Sequence, residues 1–153
     1  MDVMRFENRM NESEAKHHVW ERRNLIDDIL ARSIDGLTHL GDIVDVAERG
    51  GARGEESIRL LAIGIMARVL IGELMVVGQF GHDGFFEWEL QGAAALEEIC
   101  DAWDVTELRP PPGEIAWFKL TDSGRALGEK VLTQEGVTIR ALVNPQRDDI
   151  ARR

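Results

Sequence analysis

A chain of 153 residues that is 44% hydrophobic has the length of one domain and enough apolar material to bury a core. A formal net charge of −10 disfavours nonspecific binding to nucleic acid or to an anionic membrane and suits a cationic or basic partner. A single cysteine, Cys100, excludes an intrachain disulfide, and residues 1–11 are too polar to read as a secretory signal, so the cytoplasm is the expected compartment.

In chain order, residues 12–34 read as one long helix, with Val19, Ile26, Ile29, Leu30 and Ile34 along one stripe, Asn11 or Ser13 at its start and Gly36 beyond its end. A short helix is expected over 42–49 with Ile43, Val46 and Ala47 inward. The glycine-rich residues 50–54 break the chain before a third helix over 55–72. That helix carries a stripe of Ile58, Leu61, Ala62, Ile65 and Val69. Leu60, Ile63, Met66 and Leu70 widen it, which predicts a mostly buried helix. The apolar run 60–77 is interrupted by Arg68 and Glu73 and so does not read as a membrane span.

A hairpin follows: a strand over 74–80, a four-residue turn over 81–84 and a strand over 85–90. Alternation puts Phe86, Trp88 and Leu90 on the core face, and Phe85, Glu87 and Glu89 on the wet face. Residues 92–104 form an amphipathic helix with a seam of Leu96, Ile99, Cys100 and Trp103. Pro110, Pro111, Pro112 and Gly113 make a stiff connection. A strand over 115–120, a helix from Thr121 or Asp122 to about Leu132, a final strand over 137–143 and a polar tail over 146–153 complete the reading.

Charge is unevenly placed. Residues 73–135 hold 13 acids and 4 bases, and within them residues 83–107 hold eight acids with no lysine or arginine. Asp83, Phe85, Glu87, Glu89, Glu97, Glu98, Asp101 and Asp104 are the candidate partner-binding residues. Acids without interleaved bases repel one another, and an outward aromatic among them, Phe85, is the best single anchor for a partner. The plainer alternative is a solvated acidic face over a core of Phe86, Trp88 and Trp103.

Other constellations read better as ordinary structure. His82 and Asp83 suit a turn more than a proton-transfer pair. His39, Asp42, Asp45 and Glu48 lie at three-residue steps that suit caps and surface acids better than a metal. Glu14, His17, His18 and Glu21 lack the spacing of a zinc site. Cys100 on an apolar seam reads as a buried thiol, and residues 50–54 lack the lysine of a phosphate loop. No cofactor, metal or catalytic set is expected, so the chain reads as a binding protein and not an enzyme.

The order helix, short helix, long helix, hairpin resembles a winged helix-turn-helix. The string LIGELMVV (residues 70–77) resembles the passage from its third helix into the wing. FKLTDSGRAL (residues 118–127) resembles a strand-to-helix junction of several winged-helix regulators. A longer likeness over about residues 55–132 joins LIGELMVVGQF, DGFFEW and PPPGEIAWFKLTDSGRALG. It resembles a group of small bacterial proteins of unassigned function, some of them encoded beside secreted polymorphic toxins and similar to immunity proteins of contact-dependent growth inhibition. The resemblance implies a mainly helical α+β fold: a winged-helix-like core over 12–90 and an extension of strand, helix and strand over 91–143 packed on it. It also implies a basic toxin domain as the partner. The alternative it carries is a DNA-binding regulator. A recognition helix that opens on Glu55 and Glu56, and has only Arg59 and Arg68 as bases, suits phosphates poorly.

Overall fold

The computed structural model describes residues 23–143, with side chains described through Gly136. Among them are five α-helices and a four-stranded antiparallel sheet, a mixed α+β fold. Helix α1 spans Leu25–Arg32, strand β1 Thr38–His39, α2 Leu40–Arg49 and α3 Glu55–Ile71. Strand β2 spans Met75–Gly81, β3 Gly84–Glu87, α4 Gly92–Asp104, β4 Trp117–Leu120 and α5 Asp122–Val143. No helix among the described residues is long and apolar enough to cross a membrane.

Local chemistry explains the starts and stops. The Asn24 side chain accepts from the Asp27 amide at 2.7 Å and begins α1, so residues 23 and 24 of the helix expected over 12–34 are not helical. The part of that expectation before residue 23, with the proposed caps Asn11 and Ser13, lies outside the described residues. Helix α1 ends at Ser33, ahead of Gly36. His39 caps α2: its Nδ1 accepts from the Gly41 amide while Asp42 accepts from the His39 amide, a reciprocal box. The turn in the hairpin has two residues, His82 and Asp83, because Gly81 pairs directly with Gly84, whose φ of 101° no β-branched residue would tolerate. Strand β3 stops at Glu87, three residues short of the expected end.

The sheet order is β1-β4-β2-β3. Strand β4 lies between β1 and β2, so a strand from the C-terminal half occupies a central place in the sheet. One sheet face buries Met75, Val77, Phe118 and Leu120 in the same core cluster as Ile43, Val46, Met66, Ile99 and Trp103 of the helices. Helices α2 and α4 pack on α3, and α1 packs on α5. In α3, Leu60 is exposed, where the stripe had placed it inward. The buried side of the helix is Ile58, Ala62, Ile65, Met66, Val69 and Leu70.

The strand expected over 137–143 is helix instead, since α5 continues without a break to Val143. Thr121 caps it, its Oγ1 accepting from the Gly124 amide at 3.1 Å and donating to the Glu73 carbonyl at 2.7 Å. Near the other end, the Arg23 guanidinium reaches across from the α1 side to Glu135 and to Asp28.

Candidate functional site

A cleft of about 800 Å³ opens where the chain leaving β3 passes over α4 and the approach to β4. Its apolar and aromatic surface comes from Phe86, Trp88, Leu90, Ala102 and Ile115. Four glutamates, Glu87, Glu89, Glu98 and Glu114, share its walls, and among the described residues no lysine or arginine lines it. Among the described residues none of these four carboxylates makes an ion pair.

Each wall is held by identifiable contacts. Gln91 fixes the segment after β3: its Oε1 accepts from the Val77 amide at 2.9 Å, and its Nε2 donates to the carbonyls of Val77 and Trp88. The side-chain amide thus stands in for a strand neighbour where β3 departs from β2. Helix α4 buries Ala95, Ile99 and Trp103, which turns Glu98 and Ala102, one turn apart, toward the cleft. Its C-terminal end is anchored by Arg59, whose guanidinium lies 4.7 Å over the Trp103 ring and donates to the carbonyls of Trp103 and Thr106. Trp103 Nε1 donates to the Leu108 carbonyl at 3.1 Å. Beyond it, Arg109 pairs with Asp45 and Glu48 of α2, each at 2.8 Å. The Glu114 amide donates to the Pro111 carbonyl, so the proline-rich turn presents Glu114 at the cleft.

Three of the expected partner-binding residues, Glu87, Glu89 and Glu98, come together in this cleft. Glu97, Asp101 and Asp104 form a separate exposed row on α4, and Asp83 is at the exposed hairpin tip. Phe85 corrects the expectation of an outward anchor beside Glu87 and Glu89. It is half-buried on the sheet face away from the core, which it shares with Glu87 by alternation, edge-on to Phe80 with ring centroids 6.3 Å apart, and Lys119 Nζ lies 5.6 Å over its ring. The parity was right, but that face is not simply wet. Phe80 also meets Trp117, and Trp117 meets His39, so an aromatic row crosses it. Phe86, expected in the core, is 52% exposed and Leu90 is 50% exposed, because this end of the hairpin overhangs the helices and faces the cleft. Trp88 is half-buried against the core, and Trp103 is 1% exposed.

Glu114, Ile115, Ala102 and Thr106 were not anticipated as lining residues. Glu114 follows the run of prolines, a local sign of a fixed turn, but only the path into β4 brings it to α4. Cys100 is half-buried, less enclosed than its place on the seam implied. Burial, then the charges of Asp101 and Asp104, push its thiol up, so it stays protonated at neutral pH. His39 and Asp42 serve as caps, and Asp45 and Glu48 hold Arg109, which gives these residues structural work.

Comparison with protein-family models, with curated proteins and with solved structures found no match.

Proposed function

We propose that the chain is a binding protein that takes a basic partner in the cleft between β3 and α4, and that the partner is a toxin domain which it neutralises as an immunity protein in the cytoplasm. The observation that carries this reading is the set of four glutamates, without an ion pair or a lining base among the described residues, around an aromatic and apolar surface. Like charges on one rim repel, and an entering arginine or lysine relieves that repulsion. A guanidinium group fits both parts of the surface: it bonds carboxylates through a planar fork and stacks on the faces of Phe86 and Trp88. The resemblance of residues 55–132 to proteins encoded beside polymorphic toxins is what makes the basic partner a toxin domain. Covering the toxin's substrate site would block it, with long-range attraction speeding association and aromatic contacts slowing release.

DNA is the less favoured partner. Helix α3 opens on Glu55 and Glu56, and Arg59 is held by Glu55 and by the end of α4. Few free cations remain on α3 to neutralise phosphates. The test is to mix the purified protein at low salt with basic toxin domains encoded beside it, and to measure both complex formation and loss of toxin activity. A stable complex that silences the toxin is the expected result. Failure of every such domain to bind, or tight binding of the chain to its own promoter DNA, overturns the reading.

A further inference from the structure

Strand β3 is the last strand of the sheet, and among the described residues it pairs only with β2. The register identifies which of its backbone groups are already used. Trp88 donates its amide to the Val77 carbonyl, and alternate pairs toward the turn, Gln79 with Phe86 and Gly81 with Gly84, fall in the same hydrogen-bonded phase. Phe85 and Glu87 fall in the other phase, so their amides and carbonyls point away from β2 along the open edge. This edge runs beside the cleft, whose walls include Phe86, Glu87 and Trp88.

We infer that the partner enters as an extended basic segment that adds a fifth strand to β3, a binding mode that rests on the acidic cleft being the partner site. Main-chain bonds to Phe85 and Glu87 would supply register, and alternate side chains of the added strand would supply specificity. Those on the core side of the sheet meet Phe86, Trp88 and Glu98 and suit arginine. Those on the other side meet Phe85, which already packs on Phe80, with Glu87 two residues on along the same face, and suit an apolar residue against the Phe85 ring. The same charges argue against a second copy of this chain as the added strand. Edge-to-edge pairing of two β3 strands would set Glu87 and Glu89 of each copy among those of the other, and like charges across a strand pair are destabilising.

The probe is a synthetic octapeptide of alternating arginine and valine, with two variants N-methylated either at every arginine or at every valine amide. An added strand turns only alternate amides to the edge, so one methylated variant should lose more than about tenfold in affinity while the other binds like the parent. Amide exchange at Phe85 and Glu87 should slow in the complex with the parent peptide. Equal loss in both variants, or no loss in either, overturns strand addition and leaves the cleft as a basic-partner site. Binding of an arginine-rich helical peptide in place of the alternating one has the same meaning. If no cationic peptide binds at low salt, the reading of the cleft itself falls, and this inference with it.

Discussion

Two side chains on α4, Trp103 and Cys100, show how burial divides residues of similar sequence appearance. Trp103 and Trp88 both sit on apolar faces in the pattern, yet Trp103 is 1% exposed and Trp88 is only half-buried. Trp103 also carries a hydrogen bond to the Leu108 carbonyl and the Arg59 guanidinium over its ring. Trp103→Ala should therefore cost ~3–5 kcal/mol, by the cavity and by the loss of the anchor for α4. Trp88→Ala should cost clearly less, and urea melts of the two variants measure the difference. Cys100 is the second case. Its thiol is raised by burial first and by Asp101 and Asp104 next, so at neutral pH it is protonated and slow to alkylate. Asp104→Asn removes one of the opposing charges, so the thiol midpoint should move down toward its ordinary value. Iodoacetamide rates measured across alkaline pH should show the shift, and an unchanged midpoint would leave burial and Asp101 as the causes.

At the scale of elements, the periodic pattern made α2, α3, α4 and the β2–β3 hairpin legible to within a few residues, because each carries its own apolar period and its own breakers. Strand β1 was not legible, since two residues display no period. The β-branched residues after Gly136 suggested a strand, but a helix already propagating from Asp122 extends at little cost per residue, and one interior glycine costs only about 1 kcal/mol. The resemblance string around residues 118–127 has a physical reason at Gly124. A Cβ there would come within 2.0 Å of the Leu74 carbonyl oxygen, so α5 starts in close contact with the entry to β2. Gly124→Ala gains up to about 1 kcal/mol of helix propensity and meets a backbone clash of at least about 1–3 kcal/mol. The clash should win, and thermal melting should show a less stable protein. The acids of α4 separate by face in the same way. Reversal of Glu87, Glu89, Glu98 and Glu114 to lysine should leave the fold intact, since exposed changes cost less than about 0.5 kcal/mol each, yet weaken a basic partner by about a hundredfold or more. Reversal of Glu97, Asp101 and Asp104 should cost that partner less than about tenfold, since their row lies outside the cleft. Equal losses in the two variants would mean that the field of the whole surface, and not the cleft, binds the partner.

Across the whole molecule, the site depends on a pairing that local pattern does not contain. Strand β4 enters between β1 and β2, with Val77 opposite Phe118 and Gly78 opposite Trp117, about forty residues apart in the chain. That insertion carries the proline-rich turn and Glu114 to α4, and it places Trp117 beside Phe80 on the opposite sheet face. The acidic stretch was thus visible in the sequence, while its division into a cleft and a separate row came from the sheet order. Charge acts at this scale as well. With a net charge of −10, concentrated in residues 73–135, the protein attracts a basic domain over a distance set by the Debye length. Association with such a domain should slow by about tenfold or more between roughly 0.05 and 0.5 M salt, because screening removes the long-range part of the attraction. Dissociation should change far less, since the contacts of Phe86, Trp88 and the carboxylates inside the cleft are short-range and partly sheltered. Stopped-flow mixing with the toxin domain separates the two rates. An association rate indifferent to salt would mean that the acidic charge does not guide the encounter. A dissociation rate that rises as steeply as association falls would place the contacts on the open surface and not in the cleft.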